Sequence, residues 1–256
     1  GASVRVVNSA IHGTRLTSKG PWADGIMLAA GLSSGAAVAV QIDARSVIAN
    51  NARTGVAMLA KASLQVAGDV SKNALCGIWA GSASVVTVTG DASFGDNVLV
   101  GVAVTGGADL QLDGATIRGT VAQTLAKRGD DRDAGDGIGV FDGARATIRN
   151  ARLQSNARAG VLVHQAKQLA DGSPDVVISG SVMTGGKYAV VVNGSPAPSF
   201  AASNTYESAN AEDSNGQSSS GGTGTAREPS PEDKVNATMP VKTDICDAST
   251  NCTPSF

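Results

Sequence analysis

The densest run of charge is "LAKRGDDRDAGDG", residues 125–137, where Asp130, Asp131, Asp133 and Asp136 lie among glycines. Clustered carboxylates on a glycine-rich loop are suitable hard oxygen ligands for calcium. Their spacing fits no calcium-loop consensus, and Lys127, Arg128 and Arg132 offset the charge, so the competing reading is a solvated loop. A second group is cationic: Arg118, Arg145, Arg149, Arg152 and Arg158. Guanidinium groups pointing outward from neighbouring repeats would suit an acidic glycan; otherwise they are exposed strand residues with cross-strand partners. Cys246 and Cys252, in "CDASTNC" within a polar tail, are close enough to form a small disulfide loop. Such a loop implies an oxidising compartment, hence secretion, the periplasm or the cell surface. Cys76 is left over and reads as a small buried apolar residue.

What must position these groups follows from a repeat. "NNARTG", "KNALCG", "DNVLVG", "RDAGDG" and "SNARAG" each place Asn or Asp four positions before Gly, and Val or Ile follows each Gly. With Gly25 of "DGIML" added, the register glycines are Gly25, Gly55, Gly77, Gly101, Gly137 and Gly160, at spacings of 30, 22, 24, 36 and 23. The short intervals give the unit, the two long ones contain insertions, and a period in this range signals a solenoid. After each glycine the pattern alternates, as in "GVAM", "GIWA", "GVAV" and "GVLV". A second alternating run follows ("ASLQV", "SVVTV", "ADLQL", "ARATI") and then a shorter third ("ASF", "ATI", "ARL", "SVM"). Each unit therefore reads as three short strands, and no stretch has sustained helical periodicity.

Three strands per turn, stacked at about 4.8 Å, make a parallel β-helix. Asn51, Asn73, Asn97, Asp133 and Asn156 would then share one corner, where Asn tolerates the left-handed conformation that a sharp turn needs and its amide can hydrogen-bond from coil to coil. On the coil pattern, the Asn corner and the G-[VI]-x-[VLMA] strand, the chain resembles the right-handed parallel β-helix repeats of the pectate-lyase-like superfamily, over residues 4 to about 195. The expected fold is all-β: a right-handed parallel β-helix of about seven coils spanning 1–195, with an irregular Ser/Gly/Pro-rich capping tail over 196–256. The first coil begins part-way round a turn, since "VVNSAI" matches "IRNARL", as expected of a piece of a longer protein. In the tail, Phe200 and Tyr206 are candidates to cap the last coil.

The chain has 256 residues, 42% hydrophobic, with 32 Gly, 3% aromatic residues and net charge −2. That balance gives no nucleic-acid footprint, and no apolar run is long enough to span a membrane. Catalytic members of the superfamily typically carry their working groups on the outer face of one parallel sheet or in adjoining loops. Here that face reads Met27, Ala57, Trp79, Ala103, Gly139, Leu162 and Val191, beside a column of Ala29, Leu59, Gly81, Thr105, Phe141, His164 and Asn193. Acid–base cleavage of a glycan needs two positioned titratable groups, and these columns hold one His, read as a surface residue. The apolar members are either covered or form an interface for a protein partner or, through Trp79 with Phe141 and His164 beside it, for a sugar ring. The leading expectation is a non-catalytic secreted or cell-surface module, structural, adhesive or glycan-binding, with no cofactor. The alternatives are a calcium-dependent polysaccharide lyase with Arg118 or Arg149 as base, and a trimeric spike segment. The register also makes Asp109 and Arg145 outward-facing neighbours on adjacent coils.

Overall fold

The computed structural model describes residues 2–16, 23–29, 38–59, 61–122, 135–172, 174–186, 188–193, 199–200 and 203–207. Among these residues there is no helix, and the strands form three parallel sheets of eight, eight and seven strands. Each coil contributes one strand to each sheet in turn, as Ala62–Val66, Asp69–Ser71 and Cys76–Ala80 do. Every strand of a sheet pairs with the strand one coil away, which is the wiring of a parallel β-helix. Beyond residue 195, where the sequence pattern dissolves, Ser199–Phe200 and Thr205–Glu207 add a further strand to the first and second sheets, with Phe200 in register with Ile178 and Tyr206 with Met183.

The alternation dictates the interior. In Ala62–Val66 the burial runs buried, exposed, buried, exposed, buried, and one contiguous core gathers the inward residues of all three sheets, from Val6 to Met183. Leu64, Leu110, Ile117, Ile138 and Ile148 are fully buried, and Phe94 is the one aromatic among the largest fully buried side chains. Burying each such side chain stabilises by roughly 1.5–3 kcal/mol before chain entropy is subtracted.

The Asn corner forms, with two corrections. Asn51, Asn73, Asn97 and Asn156 are all buried. The main-chain N–H and Nδ2 of Asn51 donate to Asn73 Oδ1 at 3.2 and 3.0 Å, and those of Asn73 donate to Asn97 Oδ1 at 3.1 and 3.0 Å. The left-handed residue of the turn is not the ladder Asn but the one before it: Asn50, Lys72, Asp96 and Ser155 have φ between 51° and 55°. The ladder Asn is there for its amide. The fifth-coil member is not Asp133, which lies outside the described residues, but Thr120, whose N–H donates to Asn156 Oδ1 at 3.2 Å. The insertion follows the corner instead of preceding it, so counting back four from Gly137 lands inside the insertion.

The glycine of the motif now has a reason. A Cβ on Gly77 would lie 2.4 Å from the Gly101 carbonyl and 2.9 Å from Asn97 Nδ2. Gly25, Gly55 and Gly137 meet the carbonyl and Asn Nδ2 of the following coil in the same way, at 2.7 or 2.8 Å. Each glycine therefore makes room for the amide of the next coil's ladder residue, and the two halves of N-x-x-x-G serve one contact repeated up the stack.

Candidate functional site

The outer face of the third sheet is where the sequence placed the question of chemistry. Its strands include Ile26–Leu28, Val56–Met58, Cys76–Ala80, Val100–Val104, Asp136–Phe141, Ala159–His164 and Tyr188–Asn193. The pairing puts Met27, Ala57, Trp79, Ala103, Gly139, Leu162 and Val191 in one register column, as the alternation requires. The face is not open. Ala57, Ala103, Leu162 and Val191 are buried, and Cys76, Val100, Ala103, Phe141, Ala159, Leu162 and Val191 make a second apolar cluster outside the sheet, with Leu75, Trp79, Leu99 and Tyr188 packed on it. Phe141 lies back over Gly139, where a Cβ would be 2.4 Å from the ring. Only at the first-coil end does the column emerge, with Met27 45% exposed. Trp79 is half-buried against the cluster.

His164 is a correction. It pairs in register with Phe141 and is 8% exposed, not a surface residue, and its buried Nδ1 has no hydrogen-bond partner. The alternation gave its direction correctly but could not say that the face is covered. Cys76 is buried as expected; burial raises its thiol to about 12, so it stays protonated and unreactive at neutral pH.

Asp136 is the second correction. It opens a strand of the third sheet, is fully buried, and is held by Arg158, whose Nε donates to Oδ1 at 2.9 Å while Nη2 contacts Oδ2. Burial pushes its carboxyl above the ordinary range, partly offset by the Arg158 hydrogen bonds and charge. A carboxylate so engaged is not a calcium ligand, which removes it from the proposed set; Asp130, Asp131 and Asp133 lie outside the described residues. No group of three potential metal ligands occurs among the described residues. Arg158 is likewise not free on the surface, its side chain being 11% exposed. Sequence reasoning missed this pair because Arg158 sits in the corner before Gly160, where strand alternation does not fix direction.

The other arginines divide between two sheets. Arg145 and Arg149 lie on the outside of the first sheet, in Arg145–Arg149; Arg118 and Arg152 lie on the second, in Thr116–Arg118 and Arg152–Gln154. Arg145 is in register with Asp109 and bonds it at 2.6 Å, as expected from the repeat. Arg118, Arg149 and Arg152 are exposed. Arg149 and Arg152 flank the corner at Asn150, whose Nδ2 donates to Asp113 at 2.8 Å. Cys246 and Cys252 lie outside the described residues.

A cavity of about 10 Å³ lies beside Asn156, lined by Leu153, Met183, Thr184 and Gly186 among others. Gly186 stands three residues after Met183, the ladder position of the seventh coil, so the cavity is the space an Asn amide fills elsewhere. It has room for about one water, and for no organic ligand.

No curated protein and no solved structure matches the chain. A family model described as a right handed beta helix region matches residues 68–225, more than half of the chain. That span contains Asn73, Asn97 and Asn156 of the ladder, with Gly77 and Gly137 packed against the last two, so the repeat geometry and the family model identify the same element. The chain belongs to the right-handed β-helix family.

Proposed function

We propose that this chain is a non-catalytic secreted or cell-surface β-helix module that serves as a rigid rod and binds acidic glycan through exposed arginines. The observation that carries the reading is the outer column of the third sheet. Ala103, Leu162 and Val191 are buried there in an apolar cluster, and Phe141 fills the space over Gly139. General acid–base cleavage requires titratable groups aimed at a bound sugar. Of the titratable groups at this face, Asp136 is locked to Arg158, Cys76 is buried and protonated, and His164 is buried with no acid bonded to its Nδ1.

The binding half of the proposal rests on three exposed arginines: Arg149 and Arg152 at the edge between the first and second sheets, and Arg118 at the far end of a second-sheet strand one coil away. Guanidinium groups take carboxylates bidentately, and several weak contacts along a polymer add. Placement outside the cytoplasm rests on the Cys246–Cys252 loop. Retention of the protein on an immobilised polyuronate tests the binding. Arg149→Ala with Arg152→Ala should lower retention, and salt should abolish it. Retention unaffected by these substitutions, or none at low salt, would refute this role for the arginines.

A further inference from the structure

The regular period is interrupted at several corners, and the two at which an excursion rejoins the third sheet are closed by the same construction. In one the chain leaves the register after Thr14 and rejoins it at Asp24; in the other it leaves after Thr120 and rejoins at Asp136. Both departure residues occupy the ladder position and are Thr, where Asn51, Asn73, Asn97 and Asn156 stand elsewhere. Both return residues are Asp, immediately before a column glycine. The next coil in each case reads Asn-Ala-Arg: Asn51-Ala52-Arg53 and Asn156-Ala157-Arg158.

The contacts repeat as well. Asp24 Oδ2 accepts from Arg53 Nη1 at 3.2 Å, and its Oδ1 accepts from the Thr54 N–H at 3.1 Å. Asp136 accepts from Arg158 Nε and from the Ala159 N–H, the residue equivalent to Thr54. The carboxylate side chains are 2% and 0% exposed. At corners without an excursion the Asp position holds Thr54, Cys76, Val100 or Ala159, and the Arg position of the coil that follows holds Leu75, Leu99, Ala122 or Tyr188.

A buried ion pair is no better for stability than well-packed apolar side chains, because desolvation consumes the Coulomb gain. Its restriction to these two corners therefore needs another cause. After a long excursion, covalent continuity no longer dictates where the chain rejoins the sheet, and closing the loop costs entropy. A directional, buried contact to the next coil supplies the missing constraint. At the second corner the re-entry is further tied by Leu99, whose N–H donates to the Val121 carbonyl and whose carbonyl accepts from the Asp136 N–H.

We infer that the buried Asp–Arg pair is a re-entry clamp: it fixes the residue at which the chain rejoins the third sheet, whatever the length or sequence of the excursion. The same edge of the rod is then a place where loops can be exchanged without disturbing the coil.

The test is a double cycle read by thermal denaturation. Deleting residues 123–135 joins Ala122 to Asp136 and reduces the Gly101–Gly137 spacing from 36 to 23, the regular period. In the full chain, Asp136→Val with Arg158→Leu should lower Tm by roughly 5 °C. In the shortened chain the same pair of substitutions should leave Tm unchanged or raise it. An equal fall in both backgrounds would show a generic ion pair and overturn the clamp. If the shortened chain does not fold, residues 124–133 are replaced by Gly and Ser at equal length. The clamp predicts an unchanged Tm and an undiminished effect of the double substitution; a Tm lowered by the exchange itself overturns it.

Discussion

Thr120→Asn should stabilise the protein, because the fifth coil is where the ladder is broken. Asn73 Nδ2 donates both forward to Asn97 Oδ1 at 3.0 Å and back to the Ile48 carbonyl at 3.3 Å. Asn97 Nδ2 donates back to the Val70 carbonyl at 2.8 Å and makes no forward bond among the described residues. Facing it, Thr120 Oγ1 is buried without a partner. An Asn at 120 would offer Oδ1 to both the N–H and Nδ2 of Asn97 and remove the orphaned hydroxyl. Its own Nδ2 would approach Gly101 as the other ladder amides approach Gly25, Gly55, Gly77 and Gly137, which have no Cβ in the way. Two or three net hydrogen bonds at about 0.5–1.5 kcal/mol each, less the ordering of one more side chain, leave about 1–2 kcal/mol. For a chain of this size that raises Tm by roughly 3–6 °C, measured by circular dichroism. An unchanged or lower Tm for Thr120→Asn would refute the ladder as a source of stability.

Gly77→Ala should cost about 3 kcal/mol or more in denaturant unfolding, since its Cβ would strike the Gly101 carbonyl and Asn97 Nδ2, and backbone has nowhere to move. Asp109→Arg should lower Tm slightly by facing Arg145, and salt should restore it. The exchange Asp109→Arg with Arg145→Asp should leave Tm nearly unchanged, because this exposed pair contributes about 0.2–1 kcal/mol. The raised carboxyl of Asp136 means that protonation favours the folded state. Its contribution is full below the unfolded value near 3.8 and is lost as pH rises through the higher folded value, so the stability of the protein relative to Asp136→Asn should grow as pH falls from 7 to 4. Alkylation of the native protein without reduction should leave Cys76 unmodified and find Cys246 joined to Cys252 by mass spectrometry; a modified Cys246 and Cys252 would remove the argument for an oxidising compartment.

The stack was legible because two independent periods agree. The glycines mark the coil and the alternation marks the face, and together they placed Asp109 beside Arg145 and ordered the column from Met27 to Val191. What failed did so where those periods stop. Thr120 was missed because the count ran backward from Gly137 across an insertion; counting three forward from the buried third-strand residue (Ile48, Val70, Phe94, Ile117, Leu153) reaches Asn51, Asn73, Asn97, Thr120 and Asn156 without crossing it. The Asp136–Arg158 pair was hidden because corners obey no alternation, although the matching "NAR" of Asn51–Arg53 and Asn156–Arg158 was a signal in plain sight. His164 was misplaced because alternation states which way a side chain points and not what lies over it.

The most direct test of the central claim, a β-helix whose would-be working face is packed shut, is a cleavage assay. The protein, with its tail intact, is incubated with several uronate polysaccharides in the presence and absence of calcium, and unsaturated products are followed by absorbance and reducing ends by titration. A non-catalytic module predicts no increase of either over the protein-free control under any condition. Product accumulating with enzyme concentration, and abolished by Arg118→Ala or Arg149→Ala, would contradict it and place a catalytic site on the arginine-bearing sheets.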